Sequence, residues 1–135
     1  MKTKIFETTK NDIEEASRLI QNGEVVAFPT ETVYGLGADA TNESAIKKVF
    51  VAKGRPADNP LIMTVADAAQ LDEFVTISDQ ARKLMNHFWP GSLTIILPIK
   101  PGKVSMLVTG GLQTVAFRLP ANDAARTLIR AAGVP

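Results

Sequence analysis

Between Asn11 and Asn22 the apolar residues fall at Ile13, Ala16, Leu19 and Ile20, a spacing that predicts a helix. Asp12, Glu14 and Glu15 sit in its first turn, where the helix dipole favours acidic side chains, and Gly23 is a natural stop. Residues 3–6 read as a short opening strand. Val25 to Phe28 is a short buried strand ended by Pro29, and a loop rich in threonine and glycine follows. Asn42 is suited to cap the next helix, whose inner face would carry Ala45, Ile46, Val49 and Phe50. Gly54-Arg55-Pro56 breaks that helix. Pro60 to Val65 is an apolar run read as a strand, residues 67–73 a short helix, and Ser78 the cap of a longer helix through Phe88.

Trp89-Pro90-Gly91-Ser92 reads as a turn. Leu93 to Ile99, apolar and β-branched, is a strand; Pro101 to Gly111 is loop-like; Thr114 to Leu119 is a strand closed by Pro120. Asp123 to Ala132 forms a last helix stopped by Gly133, after which Gly133-Val134-Pro135 resembles the approach to another strand. Helices mixed with short apolar strands imply an α/β or α+β domain. Hairpin signals are weak, so a mixed sheet is expected rather than an all-antiparallel one.

Composition narrows the chemistry. A length of 135 residues suits one domain, and 45% hydrophobic residues suffice for a packed core. No apolar run approaches the ~20 residues of a membrane helix, and the N-terminus turns acidic where a secretion signal would be apolar. The absence of cysteine excludes disulfides, thiolate metal sites and a cysteine nucleophile, and fits a cytoplasmic location. His87 is the sole histidine, which argues against a multi-histidine metal centre or a Ser-His-Asp triad; it reads as a helix-capping residue beside Phe88 and Trp89. A net charge of +1 argues against a general nucleic-acid coat, while leaving room for a local basic patch.

Three segments carry candidate chemistry. Phe28 to Ala38 (FPTETVYGLGA) packs two threonine hydroxyls, a carboxylate, a phenol and two glycines after a buried strand. Ligands of open sheets sit on such loops, and glycine lets a ligand or another backbone approach closely. The same segment also reads as a capped turn, with Thr30 and Thr32 bonding local backbone. It is neither a Walker loop nor a dinucleotide GxGxxG. In Lys53-Gly54-Arg55-Pro56-Ala57-Asp58-Asn59-Pro60, an extended backbone would put Lys53 and Arg55 on one side, two cations suited to a polyphosphate, with Asn59 able to bond a base, sugar or phosphate. A solvated basic turn is the plain alternative. In Thr114 to Leu119, Thr114, Ala116 and Arg118 share one strand face and Val115, Phe117 and Leu119 the other. Arg118 could grip a carboxylate there, or could simply be salt-bridged on a sheet face.

Read in order, FPTETVYGLGADA, AKGRPADNPL, WPGSLTIIL and TGGLQTVAFRLP resemble the YrdC/Sua5 family of threonylcarbamoyl-adenylate synthases, over about residues 10–135. The resemblance implies a twisted α/β sheet with flanking helices around a large, partly basic cavity. It implies an activity that joins L-threonine, bicarbonate or CO2 and ATP into threonylcarbamoyl-AMP with release of pyrophosphate, for the t6A modification of tRNA. By position, Lys53 and Arg55 would be the catalytic pair on the ATP phosphates, Asn59 and Thr114 further ATP contacts, and Thr32, Thr64 and Arg118 threonine contacts. At Thr64 many Sua5-type members have histidine. No protein-bound metal is implied; Mg2+ would accompany ATP.

A t6A transferase complex would act downstream, and the family's concave basic surface also suggests double-stranded RNA or tRNA as a partner. The alternative function is therefore an RNA-binding module in tRNA or ribosome maturation. A carbamoyl-adenylate-forming domain of the hydrogenase-maturation type, using carbamoyl phosphate, is a related third reading. The family continues past the GVP-type ending with an SxN segment that completes the nucleotide site. On this resemblance residues 1–135 are one YrdC-like domain truncated at its C-terminal side.

Overall fold

The computed structural model describes residues 3–31, 33–54, 56 and 59–135. Helix α1 (Lys10–Gln21) starts at Thr9, whose hydroxyl accepts from the Asp12 amide, and buries Ala16, Ser17 and Ile20. Strand β1 (Val26–Phe28) pairs antiparallel with β2 (Gly35–Gly37), with Val26 opposite Gly37 and Phe28 opposite Gly35. Helix α2 (Glu43–Lys53) is capped by the Asn42 side chain on the Ala45 amide and closed by Gly54 in the left-handed conformation. Its buried residues are Ala45, Ile46, Val49 and Phe50, the face expected from spacing. Strand β3 (Ile62–Thr64), a 3-10 turn (Ala68–Leu71), helix α3 (Asp79–Phe88) under a Ser78 cap, and strand β4 (Thr94–Pro98) follow. Short helix α4 (Met106–Thr109), strand β5 (Thr114–Arg118) and helix α5 (Asp123–Ala132), capped by Asn122, complete the order.

The main sheet has the order β3-β5-β4, with β5 parallel to β3 and antiparallel to β4. The fold is thus α/β with a mixed sheet. Its inner face carries the buried row Met63–Phe117–Ile95, which packs with Ile46, Phe50, Leu71 and Met85 from the helices and the 3-10 turn into the larger core. Alternation in β5 is clean: Val115 and Phe117 are buried, while Thr114, Ala116 and Arg118 are half-buried on the opposite face. A second apolar cluster joins Ala16 and Ile20 of α1, Val26 of β1, and Leu128 and Ala132 of α5.

Four expectations change. Residues 3–6 form no strand; Phe6 packs on the second cluster instead. Gly35–Gly37, expected as loop, is a strand, because it closes a hairpin with β1. Met106–Thr109, also expected as loop, is one helical turn, started by the Ser105 hydroxyl on the Leu107 amide and ended by left-handed Gly110. Lys53 is helical rather than extended, because the helix runs on until Gly54 supplies the left-handed cap that a side-chain-bearing residue adopts only at a cost.

Candidate functional site

The two apolar clusters meet along a cleft of about 360 Å³, near the lower end of the range in which small-molecule sites fall. Ile46 and Val108 of the larger core and Ile20 and Leu128 of the smaller one form its apolar walls. Among the described residues its polar side chains are Thr30 and Tyr34 between β1 and β2, Lys53 at the end of α2, Thr64 on β3 and Arg118 on β5. Lys53 is the last residue of a helix whose apolar face fixes its rotation, and a cation in that turn complements the helix dipole. Thr64 and Arg118 are direct partners in the parallel register, and Thr94 of β4 faces Arg118 from the other side. The Val65 amide donates to the Arg118 carbonyl at 3.0 Å and extends that pairing by one residue.

Three of the expected site residues, Lys53, Thr64 and Arg118, therefore open on one cleft. Asn59 is exposed, with its amide donating to the Pro56 carbonyl at 3.2 Å, and does not line the cleft as bounded by the described residues. Thr114 shares the Arg118 face but lies at the far end of β5, roughly 13 Å away at about 3.3 Å per residue, and is likewise outside that lining. Thr32 and Arg55 lie outside the described residues. Among the described residues no group of three or more His, Asp or Glu side chains could hold a metal ion.

The threonine- and glycine-rich segment divides its labour. The Thr30 hydroxyl donates to the Val33 carbonyl, as the capped-turn reading anticipates. The glycines serve packing: a Cβ on Gly37 would stand 2.6 Å from Cε1 of Phe28, and one on Gly35 would stand 3.2 Å from Cζ of the same ring. What comes close is thus the Phe28 side chain, which itself lines the cleft. Gly37→Ala should push that ring off β2 and cost about 1–3 kcal/mol, seen as a lower denaturation midpoint at unchanged m-value.

Glu31 was not singled out by sequence, although it is the carboxylate of that segment. Its Oε2 accepts from Nη2 of Arg118, and its Oε1 accepts from the Asn122 amide at 2.9 Å. The Arg118 side chain is largely enclosed, at 17% exposed, whereas Glu31 stands at the solvent edge. Burial alone would raise the Glu31 carboxyl pKa. The Asn122 amide, then the hydrogen bond and positive charge of Arg118, outweigh it and hold the pKa below the ordinary glutamate value. The pairing is therefore fully present above the ordinary carboxylate range and is lost as pH falls through the lowered pKa. A partner 87 positions away leaves no local signal in the sequence.

The profile of the Sua5/YciO/YrdC family, described as "Telomere recombination", matches residues 18–135. This chain belongs to that family. It is 53% identical over 132 residues to the threonylcarbamoyl-AMP synthase of Bacillus subtilis (strain 168), covering 96% of this chain and 38% of that one. It is 44% identical over 124 residues to the threonylcarbamoyl-AMP synthase of Idiomarina loihiensis, covering 89% of this chain and 65% of that one. The crystal structure of P. abyssi Sua5 complexed with L-threonine superposes with a TM-score of 0.90 at 47% identity, over 98% of this chain and 38% of that one. The family assignment and the Sua5 likeness match the expectation from the ordered motifs. No helix among the described residues is long and apolar enough to cross a membrane.

Proposed function

We propose that this protein, at full length, is an L-threonylcarbamoyladenylate synthase acting in t6A synthesis on tRNA. Because the chain spans 38% of the B. subtilis relative, the activity is assigned to the full-length protein. One observation carries the reading: in a member of this family, Arg118 and Thr64 stand side by side in the sheet register and open on the same cleft as Lys53. A guanidinium beside a hydroxyl suits the carboxylate of an amino acid, and a lysine on the same cleft suits a phosphate. The P. abyssi relative is complexed with L-threonine, which supports threonine as the amino acid.

In this reading Thr32, Thr64 and Arg118 hold threonine. Lys53 and Arg55 meet the phosphates of ATP, and Asn59 and Thr114 complete the nucleotide contacts. The threonine amine attacks the carbon of CO2, supplied by bicarbonate, and loses a proton to give a carbamate. A carbamate oxygen then attacks the α-phosphorus; the bond from that phosphorus to the bridging oxygen breaks, and pyrophosphate leaves. No protein nucleophile is required. The protein aligns two anions and offsets charge on the departing phosphates, which are tasks of orientation and electrostatics. Mg2+ enters with ATP as part of the substrate. The product would pass to a t6A transferase complex in the cytoplasm.

The test is a pyrophosphate-release assay on the full-length protein. Release should require ATP, threonine and bicarbonate together. Release that ignores threonine, or a protein that binds neither ATP nor threonine, would sink the reading. Salt-sensitive binding to RNA without either small ligand would favour an RNA-binding module instead.

A further inference from the structure

The structure assigns Glu31 a positioning role: it is a fixed post that holds the Arg118 guanidinium toward the cleft. This rests on the reading of Arg118 as the residue that grips the substrate carboxylate. Glu31 follows β1 and precedes β2 in the chain, and it reaches to two other elements. One of its oxygens accepts from Nη2 of Arg118 on β5, and the other accepts at 2.9 Å from the backbone amide of Asn122.

Asn122 is the N-cap of α5, and its side chain accepts from the Ala125 amide at 3.1 Å. A helix that begins this way often uses a glutamate three residues on to accept from the N-cap amide. Here that position is Ala125, which has no acceptor to offer. Glu31 supplies the missing carboxylate from 91 positions away. Its negative charge also lies at the positive end of the α5 dipole. Glu31 is therefore anchored to the helix end independently of its bond to Arg118.

That second anchor separates a post from a competitor. A carboxylate bound only by Arg118 would have to leave when a substrate carboxylate arrived. Glu31 keeps its place through the Asn122 amide and engages one of five N–H donors of the guanidinium. Arg118 Nε is enclosed and has no hydrogen-bond partner among the described residues, so the group retains donor capacity beyond the Glu31 contact. A free arginine loses rotamer freedom on being fixed, and a guanidinium already held at one corner loses less when a ligand binds.

The test uses the full-length protein and three variants: Glu31→Gln, Arg118→Gln and the pair. Glu31→Gln keeps an oxygen for the Asn122 amide while removing the charge that holds Arg118. It should raise the threonine KM about tenfold, the low end of what a hydrogen bond to a charged group is worth, and leave the ATP KM and thermal midpoint close to wild type. In the Arg118→Gln background the same change should add nothing to the threonine KM, since the effect runs through Arg118. A lower threonine KM for Glu31→Gln would make Glu31 a competitor and overturn the proposal. Equal losses for ATP and threonine, or effects that add to those of Arg118→Gln, would make it a structural staple and overturn it too. A wild-type protein with no threonine-dependent pyrophosphate release would remove the functional reading and this inference together. An active wild type with an unaffected Glu31→Gln removes this inference alone.

Discussion

Arg118→Gln should cut threonine-dependent pyrophosphate release by about a hundredfold at low threonine, the scale expected when the charged hydrogen-bond partner of a substrate carboxylate is removed. The residue is 17% exposed, so water compensates little for the lost guanidinium. The loss should fall mainly on the threonine KM, with the ATP KM moving much less, because the glutamine keeps the strand pairing and the side of the sheet. Arg118→Lys should recover little of it: a lysine offers a point charge where a carboxylate needs a planar fork, and a shorter reach toward Glu31. Steady-state kinetics with each substrate varied in turn decides the matter. An Arg118→Gln enzyme with an unchanged threonine KM would exclude Arg118 from carboxylate binding.

Phe117→Ala should be the most damaging core substitution, at about 3–5 kcal/mol. Phe117 is fully buried in the central strand of the main sheet, between Met63 and Ile95 in the register. Removing the ring deletes its contacts with both neighbouring strands and leaves a void that a close-packed sheet cannot fill by local movement. Urea titration should show a much lower midpoint with an unchanged slope. A loss below about 1 kcal/mol would mean that the core collapses onto the vacancy and that Phe117 is not its keystone. Arg118 is the next residue, so a Phe117→Ala protein that still folds should also bind threonine more weakly.

Most of the helices were legible from residue type alone. Asn42 and Ser78 announce their caps, and Gly54 and Gly133 their stops, because these depend on chemistry within four residues. The face division of β5 was legible for the same reason: period-two alternation is local, and it put Arg118 opposite Phe117 before any partner strand was known. What could not be read depends on partners distant in sequence or on segments too short to show a period. Gly35–Gly37 has poor strand character of its own and becomes a strand because Phe28 lies over its two bare Cα positions. Met106–Thr109 is a single turn, shorter than any helical repeat. The extended reading of the Lys53–Arg55 pair leans on Pro56, which favours extension only at the residue before it, whereas Lys53 ends the helix and Gly54 absorbs the reversal one residue beyond. The Glu31 link to Arg118 and Asn122 spans most of the chain and has no local counterpart.

The order β3-β5-β4 also sets a timetable for synthesis. β3 and β4 do not pair with each other, so neither has a sheet to join until Thr114 and the residues after it have emerged from the ribosome. The loop bearing Glu31 waits longer still, for the amide of Asn122. Lys53 and Thr64 are translated well before Arg118, the cation they share the cleft with. A nascent chain stalled before β5 would therefore display sticky, unpaired strand edges, and the emergence of β5 would join both edges at once.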